Sequence, residues 1–176
     1  MKKEKILTFW LLPAEPARTF FSNLIAELAA RFDAPIFEPH VTLYVTSAEN
    51  EDAAGLLARA AANAKPYRLR ITGIDYSDEF TKTVFVQFQS DAGLSELSAQ
   101  LRAASASKND YKLNPHLSLI YKTMSEERKA DLARSLTLPF TEVVFDSVKA
   151  VISPAEIKSR EDVEAWRRVA EEKLTR

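Results

Sequence analysis

The sequence predicts an α+β fold of two pseudo-symmetric lobes, each an antiparallel sheet with helices on its outer face, which together enclose a central cleft. Segments with strand-like and helix-like patterns alternate along the 176 residues. Turn residues at 75–82 join two strands as a hairpin, which requires antiparallel pairing. The order strand, helix, histidine-containing strand, helix occurs early and is echoed around the second histidine.

The first half of the chain predicts two strands and two helices. Residues 6–12 form an apolar run short enough for a strand, and large apolar side chains recur at helical spacing over 15–32. Residues 36–45 form the strand that contains the first histidine. Ser47 begins a second helix, which runs through an alanine-rich stretch to about residue 64.

The second half predicts four strands and two helices. Alternation predicts the hairpin strands, Asp91 and Ser125 begin the helices, and the tail from 163 to 174 has a helix-forming composition. In that tail, Trp166 and Val169 could equally anchor an edge strand. The predicted ranges are 67–74, 83–89, 113–121 and 142–152 for strands, and 91–106 and 125–136 for helices.

The composition indicates one domain spanning 1–176, since only three glycines occur and no Ser/Gly/Pro linker divides the chain. The absence of cysteine excludes a disulfide framework, a thiolate nucleophile and a sulfur-ligated zinc. The 24 basic and 25 acidic residues are interspersed, which favours a small nucleotide over long nucleic acid as the ligand. No cofactor is expected, and two histidines without clustered carboxylates make a poor metal site.

The N-terminus resembles a secretory signal only superficially. Its basic start, 1–5, is followed by an apolar run of only seven residues that leads into patterned sequence without a clear cleavage site. No segment approaches the roughly eighteen apolar residues of a membrane span. We therefore expect a cytoplasmic monomer without a membrane partner.

The two histidines of the chain, His40 and His116, stand in matching units of proline, histidine, an apolar residue, a hydroxyl residue and leucine. A single histidine in an apolar run is usually a hydrogen-bonded core residue. Two in matching units point instead to a paired acid/base site. Because side chains alternate across a strand, His40 shares a face with Thr42, and His116 shares a face with Ser118.

Strand alternation also predicts neighbours of this site. Trp10 and Phe85 lie opposite the apolar faces of their strands, so they are candidates to stack on a base. Ordinary packing of large aromatic side chains under a loop explains them equally well. Tyr121 follows the second unit, and strict alternation places it on the buried face of its strand.

Two imidazoles and two hydroxyls suit hydrolysis of a phosphodiester without a metal. One histidine can accept a proton from water while the other, protonated, donates to the leaving oxygen. The hydroxyls of Thr42 and Ser118 can bind phosphoryl oxygens as their charge develops. A strained 2′,3′-cyclic phosphate fits best, whereas a serine hydrolase is disfavoured because the chain has no G-x-S-x-G motif.

At these residues the sequence resembles the two-histidine (2H) phosphoesterase superfamily, whose signature is a pair of H-x-[ST] motifs. It looks most like the cyclic phosphodiesterase branch, through residues 116–121, Trp10 and the tail 166–171. The resemblance implies a two-lobed fold with a water-filled cleft and no metal. It also implies opening of nucleoside 2′,3′-cyclic phosphates or ADP-ribose 1″,2″-cyclic phosphate to a 2′- or 1″-phosphate.

The same resemblance assigns roles to individual residues. It implies that the position of Tyr121 lines the cleft and that the final segment is a strand instead of a helix. It suggests His116 as the base for water and His40 as the acid. The residues themselves do not order those two roles.

Two other functions stay open at this point. RNA 2′,3′-cyclic phosphodiesterase or 2′-5′ ligase-like relatives share both motifs and act on RNA ends, and Arg68, Arg70 and Lys122 would suit such a longer substrate if they line the groove. Solvated charges explain the same three side chains. A domain that binds a nucleotide without turning it over is the other function, but both H-x-[ST] motifs are complete, which favours catalysis.

Overall fold

The structure is a computed structural model that describes residues 3–175. Met1, Lys2 and Arg176 lie outside the described residues, so part of the basic start compared above with a secretory signal does too. The elements in chain order are β1 (Lys5–Pro13), α1 (Ala17–Phe32), β2 (Val41–Ser47), α2 (Ala53–Ala62), β3 (Tyr67–Tyr76), a 3-10 turn (Phe80–Lys82), β4 (Val84–Phe88), α3 (Ala92–Ala104), β5 (His116–Ile120), α4 (Glu126–Ser135), β6 (Glu142–Pro154), α5 (Arg160–Glu164) and β7 (Arg167–Lys173).

The seven strands pair antiparallel in the order β1-β2-β5-β4-β3-β6-β7. Since β1 also pairs with β6, the strands β1, β2, β5, β4, β3 and β6 form a closed circuit. The predicted lobes are the two halves of this sheet, β7-β6-β1-β2 and β3-β4-β5, joined where β2 meets β5 and where β3 meets β6. The α+β class is confirmed, and the repeated order appears as β1-α1-β2-α2 and β4-α3-β5-α4.

One face of the strands builds the main core. The alternate residues Leu7, Phe9 and Leu11 of β1 are buried with their counterparts in the other strands, among them Val86 and Leu117. The inward sides of the helices cover them, as their buried apolar residues show. The opposite face of the sheet is therefore left to carry the site.

Prolines shorten both histidine strands relative to the sequence prediction. The predicted strand 36–45 begins only at Val41, and the predicted strand 113–121 runs only from His116 to Ile120. A proline has no N–H to donate, so Pro39 and Pro115 cannot extend the ladder of backbone hydrogen bonds. His116 is consequently the first residue of β5, and His40 lies directly before the first residue of β2.

The start of the second helix and the structure of the tail also differ from the prediction. The second helix begins after Asp52, whose side chain accepts the Gly55 N–H at 3.0 Å, because β2 continues to Ser47. The helical composition of the tail was misleading, since pairing with β6 makes β7 a strand, as the resemblance implied. Within residues 3–175, no helix is long and apolar enough to cross a membrane.

Candidate active site

The two histidine strands are neighbours in the sheet, and they meet at one bridging pair, Val41 with Leu117. In antiparallel pairing, this register sets His40 opposite Ser118 and Thr42 opposite His116. Val41 and Leu117 are fully buried in the main core. The four polar side chains therefore project together from the other face, as the repeated unit predicted.

The four side chains lie at two depths. His40 and Ser118 are buried, with 9% and 6% of their surface exposed. His116 and Thr42 are half-buried. The arrangement has a deep pair and an outer pair, so water reaches the imidazole of His116 more readily than that of His40.

Both imidazoles have the same tautomer, fixed by the backbone. The Nδ1–H of His40 donates to the carbonyl of Glu38 at 2.6 Å, and that of His116 donates to the carbonyl of Asn114 at 2.7 Å. A carbonyl oxygen can only accept, so Nδ1 carries the proton and Nε2 of the neutral ring has the free lone pair. The intervening proline restricts the backbone before it, which explains why each unit begins with proline.

The two residues that supply these carbonyls are themselves tethered through their side chains. The carboxylate of Glu38 accepts hydrogen bonds from Lys149 of β6 at 2.5 Å and from Arg18 at 3.2 Å. The side-chain oxygen of Asn114 accepts one from Nε2 of Gln87 in β4 at 2.9 Å. Sequence reasoning missed these residues, although Glu38 and Asn114 share one signal: each lies two residues before its histidine.

Aromatic rings support both imidazoles. Trp10 stacks on His40 with ring centroids 3.8 Å apart and planes 14° apart, and Trp166 meets the same imidazole edge-on at 6.1 Å. Phe85 meets His116 edge-on at 5.5 Å. Trp10 and Phe85 are nearly fully buried. The structure gives them contacts with the histidines, and stacking on a base stays a prediction.

Tyr121 lies outside the main core. Strict alternation failed for it because β5 ends at Ile120. Its ring stacks on Phe37, which the sequence did not nominate, with centroids 3.8 Å and planes 6° apart, and it meets Trp166 at 6.0 Å. Burial raises the pKa of Tyr121, so its hydroxyl keeps its proton at neutral pH. Contact between Tyr121 and a substrate stays a prediction.

Burial lowers the pKa of both histidines. The pKa of His40 falls to about 4, because burial outweighs the hydrogen bond to the Glu38 carbonyl, and the nearby charge of His116 lowers it further. The pKa of His116 is also lowered, chiefly by burial and additionally by Lys82. Both rings are thus neutral at pH 7 when the cleft is empty, and they lie close enough to influence each other.

The two hydroxyls are in different states. Ser118 donates its hydroxyl proton to the carbonyl of Thr81 at 2.7 Å. The hydroxyl of Thr42 makes no hydrogen bond to the residues that the structure describes. Thr42 is therefore ready to donate to a phosphoryl oxygen, whereas Ser118 must first release Thr81.

The other predicted candidates, Arg68, Arg70 and Lys122, make contacts of their own or are exposed to solvent. Arg68 forms an exposed ion pair with Glu142 at 2.6 Å, and Arg70 is exposed. Lys122 donates to the carbonyl of Asp33 at the end of α1, at 3.1 Å. These contacts favour surface and capping roles over groove-lining ones. In the described range 3–175, no three His, Cys, Asp or Glu side chains cluster as metal ligands would.

Comparison with known proteins places the chain among phosphoesterase-like folds. A family model of the 2′-5′ RNA ligase superfamily matches residues 16–152. The cyclic phosphodiesterase of Arabidopsis thaliana is 27% identical over 128 residues, which cover 72% of this chain and 71% of that protein. TT0787 of Thermus thermophilus is similar in structure, with a TM-score of 0.62, 18% identity, and coverage of 96% of this chain and 97% of that chain. The E. coli LigT structure with 3′-AMP has a TM-score of 0.59 at 21% identity, covering 99% and 100%.

Proposed function

This chain belongs to the 2′-5′ RNA ligase superfamily, a group of two-histidine phosphoesterases, and we propose that it hydrolyses a cyclic phosphodiester on a small nucleotide without a metal ion. The proposed substrates are a nucleoside 2′,3′-cyclic phosphate or ADP-ribose 1″,2″-cyclic phosphate. The observation that carries the proposal is the pair of imidazoles, His40 and His116, whose free Nε2 atoms share one face with two hydroxyls.

In the proposed reaction, Nε2 of His116 accepts a proton from water as the water oxygen attacks phosphorus. The bond from phosphorus to one ribose oxygen breaks, and protonated Nε2 of His40 donates to that oxygen. The products are a ribose hydroxyl and a phosphomonoester. The proton gained by His116 and the one lost by His40 are then exchanged with solvent. Thr42 and Ser118 would bind the non-bridging oxygens while negative charge builds on them.

The exposure of His116 and one contact of His40 bear on this order of roles. His116 is the more exposed imidazole, so an attacking water can reach it. The low pKa of His40 works against the acid role, and the face-to-face contact with Trp10 offsets part of that effect, because the face of an indole ring stabilises a cation. The negative phosphate of a bound substrate would supply the remaining stabilisation of protonated His40.

The comparisons favour a small nucleotide as substrate. The Arabidopsis relative is named a cyclic phosphodiesterase, and LigT has been crystallised with 3′-AMP. The carboxylate of Glu142 pairs with Arg68 at the surface, which offsets part of the positive charge that would favour a longer RNA substrate. RNA ends carrying a cyclic phosphate are therefore the second candidate substrate.

A substrate screen tests the proposal. Purified protein is incubated with the four nucleoside 2′,3′-cyclic phosphates, ADP-ribose 1″,2″-cyclic phosphate and short RNAs ending in a cyclic phosphate, and products are separated chromatographically. We expect turnover of a mononucleotide or ADP-ribose substrate to a 2′- or 1″-phosphate. Turnover of RNA alone would reassign the substrate, and binding without turnover of any compound would contradict an enzymatic role.

The pH dependence of kcat/KM follows from the lowered pKa values. Catalysis needs one imidazole protonated and one neutral, and that form exists chiefly between the two pKa values of the coupled pair. With the pKa of His40 near 4 and that of His116 below its ordinary value, we expect a maximum below about pH 6.5. Above that maximum, kcat/KM should fall as the shared proton is lost. An optimum above pH 8 in steady-state rates would contradict this assignment.

Metal independence is tested by chelation. We expect hydrolysis to continue at an unchanged rate after dialysis against EDTA, because the proposed steps use only protein side chains and water. Loss of activity with recovery on adding a divalent ion would refute the metal-free mechanism.

A further inference from the structure

A lysine that the mechanism does not yet use lies beside His116. The ammonium of Lys82 sits over the ring of Phe85, 4.6 Å from its centroid, and that same ring meets His116. Lys82 is half-buried, and no carboxylate among residues 3–175 forms an ion pair with it. Its position over Phe85 places this positive charge next to His116, where it could meet an anion bound at the histidines.

The backbone around Lys82 is held on several sides. Ser77 donates its hydroxyl proton to the carbonyl of Lys82 at 2.5 Å, and Ser118 donates to the carbonyl of Thr81. The buried hydroxyl of Thr83 shares its single proton between the carbonyls of Phe80 and Lys122, and its oxygen accepts the N–H of Lys122 at 3.1 Å. The turn between β3 and β4 is therefore held in place beside β5, and it positions Lys82 next to Phe85 and His116.

Buried Lys129 of α4 fastens the start of the same turn. Its ammonium donates to the carbonyl of Ser77 at 2.9 Å and to the carboxylate of Asp78 at 2.6 Å. These two structural contacts occupy the ammonium of Lys129. Lys82 is the cation that the turn leaves available to the cleft.

On the His40 side of the site, the positive charge of the nearest lysine is offset by carboxylates. Lys149 lies near His40, but it pairs with the carboxylate of Glu38 at 2.5 Å and lies 3.8 Å from that of Glu171. The free positive charge is therefore concentrated on the His116 side. That is also the side where the structure leaves the imidazole open to water.

We propose that Lys82 binds a non-bridging oxygen of the substrate phosphoryl group on the His116 side of the cleft. The inference rests on the proposed function. The ammonium would offset the negative charge that grows as the cyclic diester becomes a phosphomonoester, and it would disfavour protonation of the base before water attacks. Lys82 thus acts on the phosphate directly and on His116 through the field of its charge.

Inorganic phosphate is the probe that tests this inference without turnover. Because the chain has only two histidines, the ring C–H signals of His40 and His116 in a proton NMR spectrum can be assigned with one substitution. Phosphate titrations followed by these signals would compare wild type with Lys82→Met and Lys82→Arg. Lys112→Met, in the exposed segment before β5, removes the same charge outside the cleft.

We expect Lys82→Met to weaken phosphate binding about tenfold, with Lys82→Arg and Lys112→Met close to wild type. Lys82→Met should also raise the pKa of His116 and leave that of His40 nearly unchanged. Glu79, which acts on His116 with the opposite sign, and His40 stay present in every variant. Methionine keeps the contact with Phe85, and the backbone bonds of the turn do not use the ammonium, so these variants should fold.

The outcomes separate this inference from the proposed function. Unchanged phosphate affinity in Lys82→Met, with normal binding by wild type, would overturn the role of Lys82 alone. Equal weakening in Lys112→Met would show a general charge effect and overturn it too. Failure of phosphate to shift the histidine signals of wild type would overturn the inference, whereas the proposed function stands or falls with the substrate screen.

Discussion

Replacing either His40 or His116 with alanine is expected to lower kcat/KM for cyclic-phosphate hydrolysis by about 10² to 10⁴ or more, the usual contribution of a general acid or base. Each imidazole offers one free Nε2 on the face that carries the two hydroxyls, and the proposed reaction needs both of these atoms. Since the two act as one unit, the double variant should be hardly slower than the worse single one.

Asparagine variants separate proton transfer from packing. An asparagine amide at position 40 or 116 can still donate to the carbonyl that now accepts Nδ1–H, but it has nothing in place of Nε2. We expect His40→Asn and His116→Asn to be as inactive as the alanine variants, with circular dichroism like that of wild type. Near-normal turnover by a folded variant of either histidine would disprove the paired mechanism.

Removing the hydroxyl of Thr42 or of Ser118 is expected to cost about 2 to 4 kcal/mol of transition-state stabilisation, measured from kcat/KM. The two sites should differ in stability. Thr42→Ala loses no hydrogen bond within the described chain, so its thermal unfolding should change little. Ser118→Ala also loses the bond to the Thr81 carbonyl, which adds about 1 kcal/mol of destabilisation.

Thr42→Ser and Ser118→Thr are the matched controls, because each keeps a hydroxyl at its position. We expect both to retain most of the activity, measured with the best substrate of the screen. An unchanged kcat/KM in Thr42→Ala or Ser118→Ala would show that the hydroxyl of that residue does not stabilise the transition state.

The convergence of His40, Thr42, His116 and Ser118 could be predicted from the sequence because it depends only on local alternation and on a repeated unit. The first residues of β2 and β5 could not be predicted in the same way. The apolar residues before each histidine favour a longer strand, but the neighbouring prolines cannot donate to the ladder of backbone hydrogen bonds. The tail was ambiguous for the opposite reason: its local preference was helical, and pairing with β6 decided its structure.

The supporting residues depend on contacts between distant parts of the chain. Lys149 reaches Glu38 across 111 positions, and Trp166 reaches His40 only after β7 has been placed beside β6. A pattern within a short stretch of sequence cannot reveal contacts between residues so far apart along the chain. Lys82 could have been noted as a cation in the hairpin turn, but its position over Phe85 depends on how the turn is fastened to β5 and α4.

The closed circuit of strands has a consequence for how this protein can tolerate insertions. Its two halves are joined both between β2 and β5, at one bridging pair, and between β3 and β6, at four, so a hinge motion that separates them would have to break one of these two junctions. The pairing register of the strands therefore fixes how far apart the two halves of the sheet lie. A single extra residue between His116 and Ser118 would place their side chains on opposite faces of β5 unless it formed a bulge, whereas an extra residue in the exposed segment before β5 would leave the pairing of the strand unchanged.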